Sequence, residues 1–127
     1  MRWEAQWTMK ALSVLVVEDD AIVGMLLAEL LEVMGYDVCA IEVTEADAVA
    51  AAIRCRPDLM IVDVQLSNGS GLSAVEEILR TRTIPYVIVS GDISEVQALR
   101  PGAVLMQKPY RESDIVQAIQ SARGAGM

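Results

Sequence analysis

Histidine is missing from all 127 residues. A chain without imidazole has no His general acid or base, no Ser-His-Asp or Cys-His nucleophile system, and lacks the commonest zinc ligand. Phenylalanine is absent as well, and lysine occurs only as Lys10 and Lys108. Basic charge is scarce overall: 10 Lys and Arg face 18 Asp and Glu, for a net charge of −8. Nucleic-acid binding relies on a basic surface to displace counterions, so this balance points away from it; an acidic balance is compatible with divalent cations and basic partner surfaces, but by itself mainly means solubility. The two cysteines, Cys39 and Cys55, do not make a disulfide framework in a chain that is 54% hydrophobic. They read as buried or spectator thiols, with a reducing cytoplasm as the expected compartment. Long apolar runs are also lacking. Residues 21–28 and 59–62 are bounded by charges and fall far short of the ~18 residues that span a bilayer. Residues 1–10 lack the apolar stretch of a signal peptide.

What is present is enough apolar material for one ordinary domain: 13.8 kDa and a mean hydropathy of +0.39, which excludes a disordered chain. Residues 12–17 (LSVLVV) form a nearly continuous β-branched run, as in a strand covered on both faces. Ile22, Val23, Leu26, Leu27, Leu30, Leu31 and Met34 then recur with a helical period, with Asp19 or Asp20 as cap and Gly35 as stop. Residues 36–43 read as a second strand. Thr44-x-x-Asp47 resembles a capping box that opens an Ala-rich helix closed by Pro57. The apolar runs at 58–63, 84–90 and 103–107 supply three more strands. A loop at 67–71 precedes a helix with Leu72, Val75, Ile78 and Leu79 on one face. A short helix begins near Asp92, and the last follows Lys108-Pro109 with Ile115, Ile119 and Ala122 inward. Five strands alternating with five helices predict a parallel sheet with helices on both faces, because each parallel crossover needs a helix-length connection. The domain is expected over 11–123, with an extension at 1–10 and a stub at 124–127. In the extension Trp3 and Trp7 are four apart; in a helix they would share a face and could pack on the domain or on a neighbour.

In such a sheet, ligands bind beyond the carboxyl ends of the strands. Glu18, Asp19 and Asp20 follow the first strand, Asp63 the third, Ser90-Gly91 the fourth and Lys108-Pro109 the fifth. Clustered carboxylates cannot all stay ionised without a cation, and oxygen ligands without His or Cys select a hard ion such as Mg²⁺. A metal held by Asp19 and Asp63 would neutralise an incoming phosphoryl group, with Lys108 and the Ser90 hydroxyl on other phosphoryl oxygens. An Asp carboxylate beside the metal can serve as acceptor, giving an acyl phosphate. Asp63 stands alone at its strand end and is the better candidate; Glu18, Asp19 and Asp20 look like a metal-binding group, with Asp20 also suited to capping.

The segments VLVVEDD (14–20), MIVDVQL (60–66), YVIVSGD (86–92) and QKPY (107–110) resemble the receiver domain of two-component response regulators, from about Leu12 to Ala122. The resemblance implies a flavodoxin-like (βα)5 fold with strand order 2-1-3-4-5. It makes Asp63 the phosphoacceptor and Asp19 a direct Mg²⁺ ligand, with Glu18 assisting through water and the backbone carbonyl of Gln65 completing the coordination. Ser90 would be the switch hydroxyl, Lys108 the cation on the phosphoryl group, Lys108-Pro109 a cis bond, and Gly91 an opening for donors and water. The implied partners are a sensor histidine kinase or a histidine phosphotransfer protein upstream and a protein of unknown identity downstream, without nucleic acid or membrane. The family's usual dimer or docking face corresponds to roughly 92–122, so a homodimer is compatible with it. Such a domain promotes its own phosphoryl transfer and hydrolysis and is not otherwise an enzyme.

One departure stands out. Many receivers carry Tyr or Phe three residues before the lysine, where this chain has Leu105. Switching by rotation of a large aromatic is therefore not expected, and PYVIVSGD partly resembles the PFxFATGY segment of receivers that lack it. Three other readings compete. A Mg²⁺-dependent phosphatase or phosphotransferase of the haloacid-dehalogenase type would want a second Asp where Gln65 stands. A receiver-like module that binds partners without phosphorylation would not need the full Glu18/Asp19/Asp63/Ser90/Lys108 set. A flavodoxin-type flavin site would need a phosphate loop where three acids follow the first strand.

Overall fold

The computed structural model describes residues 11–124; Trp3, Trp7 and the rest of 1–10 lie outside the described residues. Five strands alternate with five helices: β1 (Ser13–Val17), α1 (Ala21–Val33), β2 (Asp37–Glu42), α2 (Glu45–Cys55), β3 (Leu59–Asp63), α3 (Gly71–Leu79), β4 (Tyr86–Ser90), α4 (Ile93–Leu99), β5 (Val104–Gln107) and α5 (Glu112–Gly124). All strand pairings are parallel, as the alternation predicts, and the order is β2-β1-β3-β4-β5, as the family resemblance implies.

Alternation along the strands explains the doubly wound form. Val14 and Val16 of β1, Leu59 and Ile61 of β3, and Val87 and Val89 of β4 pack with Leu27 and Leu31 of α1 and Ile115 and Ile119 of α5. The intervening residues Leu15, Val17, Met60, Val62 and Ile88 pack with Ala48 and Ala51 of α2, Val75 of α3 and Val96 of α4. Successive side chains point to opposite faces, so a strand that is apolar throughout must be roofed on both sides. The three central strands meet this condition; β2, at the sheet edge, is only half-buried.

Helix termini follow local chemistry. Asp20, rather than Asp19, caps α1, accepting from the backbone N–H of Ile22 at 3.0 Å and Val23 at 3.2 Å. Gly35, at φ +99°, leaves the helix in the left-handed conformation that glycine adopts without steric cost. The Thr44 hydroxyl accepts from the Asp47 N–H at 3.1 Å. Helix α2 ends at Cys55, and Arg56 turns out of it at φ 50° before Pro57. The 67–71 segment is more ordered than a simple loop: Thr44 bridges Asn68 and Gln65 bridges Ser70. Ser70 caps α3.

Candidate functional site

The acidic triplet after β1 is divided among three tasks. The Glu18 N–H donates to the Glu42 carbonyl at 2.9 Å, extending the β1–β2 ladder by one step. Its side chain turns inward and is only 5% exposed, and Oε2 accepts from the Asp20 N–H at 3.0 Å. Asp19 faces solvent, while Asp20 caps α1. Across the sheet, Asp63 closes β3 and is likewise buried. Its Oδ1 accepts from the Gln65 N–H at 3.1 Å, and its Oδ2 accepts from Lys108 Nζ at 2.5 Å. Lys108 Nζ also lies 3.2 Å from Glu18 Oε1. Two strand ends and the β5–α5 loop thus meet at one ammonium group.

Backbone contacts aim that lysine. Its N–H donates to the Ser90 carbonyl at 2.8 Å, and the Lys108-Pro109 bond is cis. Gln107 Nε2 donates to the Gly91 carbonyl at 2.9 Å, tying β5 to the end of β4. The carboxylates of Glu18, Asp19 and Asp63 each place an oxygen within 4.8 Å of the others. They are oxygen donors only, two of them buried, which is the donor set a hard divalent cation takes. The residues present therefore fit Mg²⁺.

The electrostatics show why a cation is wanted. Burial pushes the Glu18 carboxyl up to about 7; the Asp19 carboxyl and the Asp63 charge add to the rise, while the Asp20 amide and Lys108 oppose it. Burial works against charge on Lys108, but hydrogen bonds and attraction from Asp63 and Glu18 together hold its ammonium above the ordinary value. Half-buried Tyr110 is raised by burial and then by the nearby Glu18 charge. The one ammonium contacts two of the three clustered carboxylates, so negative charge remains to be balanced.

Ser90 stands apart. Its hydroxyl donates to the Asp92 carbonyl at 3.1 Å and accepts from the Asp92 N–H at 3.0 Å, turned along the β4–α4 turn and not onto Lys108. Asp19, Asp63, Gln65, Ser90, Gly91 and Lys108 nevertheless line one cleft of about 370 Å³. A larger hollow of about 560 Å³ runs along β5 and α5, but Asp63 does not line it. At Gly91 an added Cβ would meet nothing within 4 Å, so the approach beside Ser90 is open.

Sequence reasoning overlooked two supports. Gly71 sits so close to the end of β3 that a Cβ there would lie 1.9 Å from the Asp63 carbonyl oxygen. The Gly71 N–H also donates to the Val64 carbonyl at 2.9 Å. Glu45, at the start of α2, accepts from the Ser70 N–H at 2.9 Å and so holds the loop after Asp63 from 25 residues away. The Ser-Asn-Gly-Ser-Gly run signals a turn, but nothing in it signals the partner.

The response regulator receiver domain family model matches residues 14–120. The chain belongs to that family. Its place is therefore in two-component signalling, where the receiver is a signalling domain and not in general an enzyme. Among relatives, it is 35% identical over 114 residues to the transcriptional regulatory protein PdtaR of Mycobacterium tuberculosis, covering 86% of this chain and 55% of that protein. It is 32% identical over 116 residues to the phyllosphere-induced regulator PhyR of Methylorubrum extorquens, covering 88% of this chain and 43% of that one. The chain thus spans about half the length of these curated relatives. Among solved structures, the receiver domain of Erythrobacter litoralis PhyR superposes with a TM-score of 0.81 at 29% identity, covering 91% of this chain and 92% of that one. Among the described residues, no helix is long and apolar enough to cross a membrane.

Proposed function

We propose that Asp63 accepts a phosphoryl group from a phosphohistidine on a sensor kinase or phosphotransfer protein, and that the modified domain changes its affinity for a downstream protein in a cytoplasmic setting. The observation that carries this reading is the convergence of Asp63, Glu18 and Lys108 on one another at the open end of the sheet. Transfer needs positioning and charge neutralisation more than covalent machinery. An Asp63 carboxylate oxygen attacks phosphorus while the P–N bond to the donor imidazole breaks; with the donor's second ring nitrogen protonated, the electron pair of that bond leaves neutral imidazole on the donor and an acyl phosphate on Asp63. Lys108 exchanges its carboxylate contact for a phosphoryl oxygen. Ser90 leaves Asp92 and donates its hydroxyl proton to another. Asp19, Asp63 and the Gln65 carbonyl would hold Mg²⁺, with Glu18 assisting through water; the ion supplies neutralisation of phosphoryl charge. Gly91 leaves the acyl phosphate open to donors and to the water that hydrolyses it.

Incubation with a labelled phosphohistidine protein or phosphoramidate and Mg²⁺ tests this. The expected product is one label per chain, sensitive to hydroxylamine and absent in Asp63→Asn, whose near-isosteric side chain keeps the fold. Undiminished labelling of the variant, or an acid-stable label, would remove Asp63 from the role.

A further inference from the structure

The chain's two cysteines come together outside the Asp63 site. Cys39 lies on edge strand β2, and Cys55, 16 positions on, is the last residue of α2. The β1–β2 register steps from Val14 opposite Val38 to Leu15 opposite Ala40, so Cys39 is the residue that the ladder skips. Such a bulge re-aims a side chain that regular pairing would fix. The buried residues of α2 are Ala48, Ala51 and Ala52, and Cys39 packs against their layer. Side chains this small let a close-packed helix lie near the strand. The Cys55 thiol then donates to the Cys39 carbonyl at 3.7 Å, and the Cys39 thiol faces both the Cys55 thiol and the Ser13 hydroxyl.

Both residues are half-buried and both thiols are free, so neither sulfur is sealed from a small molecule. A disulfide needs its sulfurs at about 2.05 Å, and closing from thiol contact takes side-chain rotation and a small backbone shift. The two segments that must give are a bulge on an edge strand and the end of a helix, where Arg56 already turns away at φ 50°. Helix ends fray, and sites like these open at low free energy.

We propose that Cys39 and Cys55 form a reversible intrachain disulfide by exchange with a low-molecular-weight disulfide, a redox modification site that fastens β2 to the end of α2. In a reducing compartment such a bond is transient and reports redox state. Burial pushes the Cys39 thiol up to about 11, so its thiolate is scarce at neutral pH and the oxidant meets Cys55 first. The Cys55 thiolate attacks one sulfur of the oxidant, whose S–S bond breaks and releases one thiolate. Cys39 gives its proton to solvent, and its sulfur attacks the Cys55 sulfur of the mixed disulfide, expelling the second thiolate. Two protein thiols are oxidised, and one external disulfide is reduced to two thiols.

Because the chain has no other cysteine, mass spectrometry of the full chain in mixtures of oxidised and reduced glutathione reads the proposal directly. The expected product is a monomer lighter by two hydrogens, with the peptides carrying Cys39 and Cys55 linked and the original mass restored by dithiothreitol. Cys39→Ser should stop at a glutathione adduct on Cys55, and Cys55→Ser should take up glutathione several-fold more slowly, both with far-ultraviolet circular dichroism unchanged. An unsubstituted chain that stops at the glutathione adduct overturns the proposal, as does one whose thiols stay unmodified in the most oxidising mixture. A covalent dimer on a non-reducing gel would place the bond between chains and overturn it too.

Discussion

The carboxyl rim of the sheet has two halves in different states of readiness. On the β1–β3–β5 side, Glu18, Asp63 and Lys108 already touch, with contacts of 2.5 and 3.2 Å. On the β4 side, Ser90 lines the same cleft but spends its hydroxyl on Asp92. In the first half Glu18 follows β1 and Asp63 ends β3, both central strands, and Gly71 is pressed against the Asp63 carbonyl, while Lys108 reaches in from edge strand β5. The second leads into α4, a helix of seven residues with Val96 as its only buried side chain. A rigid acceptor beside a loosely packed responder is what a two-state device needs: ligand contacts bias an element whose two packings are close in energy. Leu105 is half-buried on β5 against the layer that includes Val96, so under the proposed function switching would rest on packing and hydroxyl contacts instead of an aromatic rotor.

Four substitutions separate the halves. Gly71→Ala should do the most damage, because the added methyl would overlap the Asp63 carbonyl; a loss of about 3 kcal/mol in urea unfolding, together with lost labelling of Asp63, is expected. Lys108→Met should lower stability in the absence of divalent ions by about 2 kcal/mol, since Glu18 and Asp63 are left facing each other without their cation. Added Mg²⁺ should restore most of that loss, and a loss that Mg²⁺ leaves unchanged would mean the carboxylates do not share the ion. Ser90→Ala removes two local hydrogen bonds and should cost about 1 kcal/mol. It should still label at Asp63 while chemical-shift changes on phosphorylation no longer reach Ile93–Leu99. Arg100→Ala breaks the contacts to the Tyr86 hydroxyl at 2.8 Å and to exposed Glu76 at 3.4 Å. Below both halves of the site, it should cost under about 1 kcal/mol and leave the labelling rate of Asp63 unchanged in a timed assay.

The architecture was legible because its signals are periodic and local. Apolar runs in β1, β3 and β4 required two roofs, and the observed layers place alternate residues of each strand under different helices. Polar residues just past those runs therefore had to share a rim. What the sequence did not reveal lies in contacts without local cause. Asp19 and Asp20 are chemically equivalent as caps, and only the backbone path out of β1 assigns the role to Asp20. Gly71 looks like one more turn glycine until the Asp63 carbonyl is seen beside it. Glu45 and Ser70 meet across 25 residues, a pairing that depends on how α2 and α3 sit on the sheet. Ser90 belonged to the rim by position, yet the direction of its hydroxyl is set by the β4–α4 turn.

The most direct test of a preassembled acceptor beside a movable responder is an NMR titration with Mg²⁺ and beryllofluoride, which stands in for the aspartyl phosphate, with Asp63→Asn as control. The account predicts saturable shifts at Asp63 and Lys108 that spread through Ser90 into α4 and β5, all absent in the variant. Spectra that stay unchanged at saturating Mg²⁺ and beryllofluoride, or shifts that persist in Asp63→Asn, would contradict it.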